Sequence, residues 1–305
     1  MGNSHSDNKI PVIFLAGYGK SGTTLLDMVF NGHPKIFGAG GLGAYKTKDP
    51  RPMNRHVAKE DKPCTCGEMV SECPFWTKVF SKNQAKHGLG IFIHPLDFLL
   101  NLRDKYHHYD GSAINEQKYI KENEDIYSSI VKESGKPIVF DSSRIPHRVS
   151  FLSKSDKLDV ILLHVVRNGA ACIASDKRKR PNSFLRPMLG WIRANIEVEL
   201  IRRRSPNVKY IFLKYEDFAH NPDQELKRIC TELGLEYSSE MLKFRSHVSH
   251  NMSGNGHRND PNASEKISYD PTWVDRISKA ERALFNIGAG WLNYIYKKRS
   301  QRKAA

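Results

Sequence analysis

Four apolar runs rich in β-branched residues stand out from a polar background: VIFLA at 12–16, PIVFD at 137–141, DVILLHVV at 159–166 and KYIFLKY at 209–215. None alternates between apolar and polar positions, so each is expected to be a strand covered on both faces. Amphipathic stretches fill most of the intervals. EQKYIKENEDIYSSIVKESG (116–135) reads as a helix that stops at Gly135. LRPMLGWIRANIEVELIRRR (185–204) reads as a long helix, interrupted near its start between Pro187 and Gly190. The stretch from 221 has Asn221 as its N-cap, Pro222 at the first helical position and Gly234 near its end.

Strands that alternate with helices predict an α/β fold: a central parallel sheet flanked by helices. No internal repeat or Gly/Ser linker divides the chain. The pattern predicts one domain over 11–295, a disordered N-terminus over 1–10 and a solvated basic tail over 296–305. The stretch from about 32 to 111 is loop-rich, with Pro, Gly, His and three cysteines. It reads as an insertion between the first two core strands that covers the site.

Ligands of parallel sheets bind beyond the carboxyl ends of the strands. Lys20, Asp141, Arg167 and Tyr215 all fall at such ends, so four strands deliver polar side chains to one edge. The first strand runs into Gly17–Tyr18–Gly19–Lys20–Ser21–Gly22–Thr23–Thr24 and then a helix. A strand, a glycine-rich turn and a helix N-terminus make an anion site, because free N–H groups and the helix dipole point at the ligand. Gly17 and Gly22 have the spacing of the nucleotide-hydrolase loop, G-x-x-x-x-G-K-[ST], but Thr23 occupies the lysine position and Lys20 precedes Gly22 by two residues. Ser21, Thr23 and Thr24 add hydroxyl donors. Nothing downstream clearly supplies a magnesium carboxylate, although Asp141 could imitate one. Such a loop suits a donor less charged than a triphosphate, such as a sulfuryl group carried on a phosphate.

Arg167 ends a strand, and Ser175 lies eight residues later on the following helix, two turns along. An arginine with a hydroxyl makes a second phosphate pocket.

The chain of 305 residues carries a formal net charge of +15, which fits an anionic partner. No apolar run is long enough to span a membrane, and the N-terminus lacks the apolar stretch of a signal peptide. A cytoplasmic location is the expectation. Gly2 and Ser6 match the short myristoylation pattern, which often occurs by chance. The five cysteines, an odd number, fit a reducing compartment. Cys64, Cys66 and Cys73 cluster in CTCGEMVSECPFW. A closed zinc site would want a fourth ligand, for which His56 is available, but C-x-C is an unusual zinc spacing. The expectation is a compact loop with buried thiols and no metal.

With both phosphate motifs in view, the chain resembles the sulfotransferases that use 3′-phosphoadenosine 5′-phosphosulfate (PAPS), from about Pro11 to Arg258. Their first loop, K/R-S-G-T-T, is here Lys20–Thr24. Their arginine followed eight residues later by serine is Arg167 and Ser175, and their later YED segment is Tyr215–Asp217. The CTCG…CPFW and DSSR segments resemble the bacterial and plant-type branch, whose acceptors are small molecules and carbohydrates. The resemblance implies a P-loop nucleotide-hydrolase-like sulfotransferase fold. It implies that Lys20, Ser21, Gly22, Thr23 and Thr24 hold the 5′-phosphosulfate, and that Arg167 and Ser175 hold the 3′-phosphate. It sets Tyr215 beside the adenine and makes Gly254, Asn255 and Arg258 part of a late loop that closes over the donor.

The implied reaction is in-line transfer without a metal, releasing adenosine 3′,5′-bisphosphate (PAP). Lys20 would stabilise charge growing on the bridging oxygen, and Arg144 would hold the sulfuryl oxygens. The sequence departs from the family at Gly41, where relatives carry a glutamate base. His147 is the first substitute, with His33 and Asp141 behind it. Trp191, Arg193 and Asn195 are expected to face the acceptor. That acceptor reads as a small hydroxyl- or amine-bearing molecule, such as a natural product, with a carbohydrate as the alternative. An inactive nucleotide- or polyanion-binding protein is the rival of a different class, and a P-loop kinase a weaker one. No nucleic-acid partner is expected.

Overall fold

The computed structural model describes residues 9–44, 63–81, 89–92, 106–108, 112–178, 180–181, 183–252, 258 and 264–304. Its strands are β1 (Ile10–Ala16), β2 (Ile36–Gly40), β3 (Ile91–Phe92), β4 (His107–His108), β5 (Ile138–Asp141), β6 (Leu158–Val166) and β7 (Lys209–Lys214). Its α-helices are α1 (Thr23–Asn31), α2 (Pro74–Ser81), α3 (Glu116–Ser134), α4 (His147–Leu152), α5 (Gly169–Lys177), α6 (Leu185–Arg204), α7 (Tyr215–His220), α8 (Pro222–Leu233) and α9 (Lys279–Ala304). Five strands form one parallel sheet in the order β2-β5-β1-β6-β7, and β3 and β4 form a separate antiparallel pair.

The sheet is buried on both faces, which is why its strands read as unbroken apolar runs. In β1, Val12, Phe14 and Ala16 enter one core, shared with Trp76, Tyr127, Val149 and Val198. Ile13 and Leu15 enter the other, shared with Leu26, Phe30, Leu226 and Ile229. The predicted helix ends hold. Asn115 caps α3 by accepting from the Lys118 N–H at 3.0 Å, and Gly135 and Gly234 close α3 and α8 in left-handed conformations.

Four expectations need correction. The stretch from 32 includes a core element: β2 is the edge strand beside β5. Its sequence, IFGAG, hid it, because glycine weakens a strand signal. Gly38 is there because its backbone runs tight against α1; a Cβ would lie 2.6 Å from Asp27 Oδ1. Helix α6 is continuous through Pro187 and Gly190, since proline in the first turn has no intrahelical N–H bond to lose. Tyr215 opens α7 and does not extend β7. The basic tail is helical as far as 304. Tyr296 is buried and Arg299 pairs with Glu199 at 2.5 Å, so one face of this stretch packs against the domain. Among the described residues, no helix is long and apolar enough to cross a membrane.

Candidate functional site

At the carboxyl ends of β1, β5 and β6, the chain leaves the sheet and borders one cleft of about 520 Å³. Gly19, Lys20, Gly22, Thr23 and Thr24 line it from the first loop, Ser142 and Arg144 from the loop after β5, and Arg167, Ser175 and Arg178 from the end of β6 and from α5. The two phosphate motifs predicted from sequence therefore share one cavity. They also touch, since Arg167 Nη1 donates to the Lys20 carbonyl at 3.1 Å.

Backbone geometry explains the loop. Lys20 (φ 75°) and Arg144 (φ 58°) are the two non-glycine residues with left-handed backbones among the described ones. That conformation costs a β-carbon-bearing residue roughly 1–2 kcal/mol. Such strain concentrates at ligand-binding positions, and both cations border this cleft. Gly22 (φ 84°) is obligatory for a second reason: the Tyr215 ring packs beneath it, and a Cβ would lie 2.5 Å from that ring. The Arg144 guanidinium lies over Gly19, where a Cβ would come within 2.9 Å of Nη1. Thr23 starts α1, so the helix N-terminus opens on the cleft with no acidic residue in its first turn.

Electrostatics are one-sided. The described lining carries seven lysine and arginine side chains and no aspartate, glutamate or histidine. Arg167 is 7% exposed, and its Nε has no hydrogen-bond partner among the described residues. A buried guanidinium N–H without a partner is costly unless an acceptor arrives. Its other face is held by the Tyr215 ring, whose centroid lies 4.8 Å away. A patch formed by Leu25, Met28, Phe244 and Ile267 interrupts the charge.

The remaining sequence-predicted residues divide. Arg258 lines the cleft and donates from Nη2 to the Pro63 carbonyl, while Gly254 and Asn255 lie outside the described residues. Ser21 is fully buried with its hydroxyl 3.5 Å from Cys172 Sγ, and its N–H donates to the Tyr18 carbonyl, so it points into the core and away from the cleft. Tyr215 is absent from the described lining; it supports Gly22 and Arg167 from below. Trp191 and Asn195 are buried too. Trp191 Nε1 donates to the Arg167 carbonyl at 3.0 Å, and Asn195 Oδ1 accepts from His164 at 3.0 Å, so they brace the end of β6 and do not face an acceptor. Arg193 pairs with Glu197 at 2.6 Å.

Of the three proposed bases, two are fully engaged. Asp141 is inaccessible, bound by Arg148 Nη1 at 2.7 Å, Tyr127 Oη at 2.8 Å and the Ser143 N–H at 2.8 Å. His33 accepts the Lys35 N–H at Nδ1 and meets the Glu236 carbonyl through Nε2 at 2.9 Å, and burial lowers its pKa. His147, at the start of α4, is buried and absent from the described lining; its Nε2 lies 3.7 Å from Glu197 Oε2 and its ring is edge-on to Tyr106.

Sequence reading missed Arg178 beside Ser175 and the whole further wall of Phe244, Arg245, Lys266 and Ile267, which have no motif to announce them. It also missed Arg148, wholly buried, whose guanidinium binds Asp141, Ser143, Tyr119 and Asn123 and so fixes the loop that carries Ser142 and Arg144. The third omission is Asp27 on α1, buried against Asn251 and Ser142, whose carboxyl burial pushes up to about 7.

No family model and no curated protein matches the chain. Solved structures do. A sulfotransferase domain from the curacin biosynthetic pathway aligns with 91% of this chain and 97% of its own, at 18% identity and a TM-score of 0.51. The sulfotransferase domain of the Synechococcus olefin synthase aligns with 94% of this chain and 89% of its own, at 18% identity and a TM-score of 0.44. A mouse sulfotransferase complexed with PAP aligns with 97% of this chain and 89% of its own, at 13% identity and a TM-score of 0.41. The curacin-pathway match shows that this chain has the sulfotransferase fold, an α/β fold built on a parallel sheet, as the sequence resemblance implied.

Proposed function

We propose that this protein transfers a sulfuryl group from PAPS to a hydroxyl or amine of a small-molecule acceptor. The observation that carries the reading is the single cationic cleft in which the Lys20–Thr24 loop and the Arg167–Ser175 pair stand joined by the Arg167–Lys20 hydrogen bond.

The donor carries two anionic groups on one nucleoside, and the cleft offers two cationic sub-sites. Lys20, Gly22, Thr23 and Thr24, at the N-terminus of α1, suit the 5′-phosphosulfate. Arg167, with its unpartnered buried Nε, and Ser175 suit the 3′-phosphate. Arg258 borders the same space, with Gly254 and Asn255 completing its loop in the proposed assignment. The patch of Leu25, Met28, Phe244 and Ile267 offers an apolar surface for the adenine, with Tyr215 acting indirectly through Gly22 and Arg167. Ser21 leaves the hydroxyl set because its side chain faces Cys172.

In-line attack on sulfur builds negative charge on the bridging oxygen. The Lys20 ammonium, projected by its left-handed backbone, stabilises that charge, and Arg144 neutralises the sulfuryl oxygens. The proposed transfer uses no metal, with Lys20 and Arg144 supplying the positive charge. His147 stays the proposed base: it is buried outside the described lining of the cleft, with Nε2 3.7 Å from Glu197 Oε2, whose carboxylate would stabilise an imidazolium. A natural-product acceptor is favoured over a carbohydrate because the fold match comes from a biosynthetic-pathway domain.

An inactive polyanion binder would share the charge but not the donor specificity. Thermal stabilisation by PAP in magnesium-free buffer, together with turnover of labelled PAPS on an acceptor panel, tests the proposal. Stabilisation by ATP only with magnesium would overturn it in favour of a kinase. PAP binding with no turnover on any acceptor would leave the inactive binder.

A further inference from the structure

The cysteine cluster lies outside the chemistry just described, and the fold gives it a partner that sequence spacing could not show. Cys64, Cys66 and Cys73 converge with His250, more than 170 residues away, so that three Sγ atoms and one ring nitrogen all lie within 4.8 Å of one another. The fourth member is His250, not the His56 suggested by sequence proximity, which lies outside the described residues. We infer that Cys64, Cys66, Cys73 and His250 form a structural zinc site that clamps the 63–81 segment to the chain that precedes Arg258.

The distances support a single small ion. Zinc–sulfur bonds of about 2.3 Å and a zinc–nitrogen bond of about 2.0 Å, set tetrahedrally, place sulfurs about 3.8 Å apart and sulfur about 3.5 Å from nitrogen. Cys66 and Cys73 sulfurs are 3.6 Å apart, Cys64 Sγ is 3.8 Å from His250 Nδ1, and Cys73 Sγ is 3.3 Å from it. A disulfide would need about 2.05 Å between sulfurs, and all of these cysteines are free thiols. Three thiols and one imidazole are a zinc ligand set, and four protein ligands leave no open position, the mark of a structural site.

The surroundings are those of a braced site. Cys64 and Cys73 are fully buried and Cys66 is exposed. The His250 ring stacks on Phe75 with centroids 5.1 Å apart, and its carbonyl accepts from Trp76 Nε1 at 2.6 Å. Thr65, between two of the cysteines, bonds the Ser249 carbonyl at 2.7 Å and accepts the Asn251 N–H at 2.9 Å, gripping the backbone on both sides of His250. Met252 then bridges Cys64 on one side and Gly40 on the other, and its carbonyl accepts the Gly41 N–H at 2.7 Å. The clamp therefore reaches β2 and the edge of the cleft through main-chain bonds. Its ligands come from two distant stretches of chain, so the ion would supply part of the folding free energy of the segment it closes.

The assignment rests on the ligand set and stands whether or not the donor reading does. The test measures metal and thiols in the full chain, purified anaerobically from zinc-supplemented medium. Wild type should hold about one zinc per chain after dialysis, as a closed four-ligand site requires. Cobalt substitution should give the intense visible bands of a tetrahedral thiolate site, with thiolate charge transfer in the near ultraviolet. Cys66→Ser, at an exposed position, should fold with an unchanged far-ultraviolet circular dichroism spectrum yet keep less than about a tenth of the zinc, and so should His250→Ala. Metal-free wild type, full zinc retention by Cys66→Ser, or a Cys66–Cys73 disulfide in the anaerobic protein would overturn the site. Zinc kept at wild-type level by His250→Ala would overturn the four-ligand assignment.

Discussion

Arg167 Nη1 donates to the main-chain carbonyl of Lys20 at 3.1 Å, across 147 residues of sequence. One guanidinium thus fixes the turn that carries the lysine and still presents a buried Nε without a partner among the described residues. Arg167→Ala should weaken PAP binding by about 1.5–3 kcal/mol, the range for a charge-assisted hydrogen bond, and weaken adenosine 5′-phosphate much less. Isothermal titration with both ligands measures this. Equal losses would remove Arg167 from the 3′-phosphate pocket and leave it a loop brace.

In the proposed reaction Lys20 combines a chemical role with a strained backbone. Lys20→Ala and Lys20→Gly should both abolish turnover while PAP affinity stays within about tenfold, because the ammonium acts mainly on charge that develops in the transition state. The two variants should differ in stability. At φ 75° glycine has no β-carbon penalty, so Lys20→Gly should be the more stable by about 1 kcal/mol. Urea denaturation separates them; identical midpoints would show that the left-handed turn is not populated.

The Asp141–Arg148 pair is inaccessible to solvent and closed by Tyr127, Tyr119 and Asn123. Asp141→Asn should destabilise the fold by about 3–5 kcal/mol, since a buried guanidinium loses its counter-charge. A cost below about 1 kcal/mol, the usual value of an exposed pair, would mean the pair is solvated.

His164 gives the fold an acid-side pH dependence. It is fully buried between Tyr210 Oη at 2.9 Å and Asn195 Oδ1 at 3.0 Å. Burial lowers its pKa to about 4, with Arg299 and Arg202 acting in the same direction and Asn195 and Glu199 opposing. The unfolded histidine titrates near 6.5. Between these values the unfolded chain binds more protons, so stability falls as pH drops from about 6.5 towards 4. His164→Gln should lower stability at pH 7 but remove this slope. A slope unchanged in the variant would assign the acid sensitivity elsewhere.

The base assignment makes a kinetic prediction. With His147 accepting the acceptor's proton, His147→Gln should lower kcat by about 10²–10⁴-fold, the usual worth of a general base, and leave PAP affinity unchanged. A fully active His147→Gln would remove the histidine from the reaction and shift attention to Asp27, whose carboxyl burial pushes up to about 7.

Local patterns in the chain determined much of this. A strand buried on both faces must be apolar at every position, so β1, β5, β6 and β7 were legible as runs. The loop at Lys20–Thr24 and the Arg167–Ser175 pair were legible as motifs because each is a fixed order of residues along one turn and one helix, and both line one cleft. Tertiary structure decided what order along the chain does not encode. The glycines of β2 sit in a strand that pairs with β5, where Gly38 runs tight against Asp27 and Asn31 and Gly40 against Met252. Ser21 turns from ligand to core because Cys172 lies behind it, and Trp191 becomes a brace for Arg167 because α6 crosses the end of β6. The same holds for the cysteine cluster, where spacing alone suggested a loop of thiols. His250 joins it because main-chain pairing of Met252 with Gly40 and Cys64 brings two remote segments together. Burial and long-range convergence are properties of the packed chain, and a local sequence window contains neither.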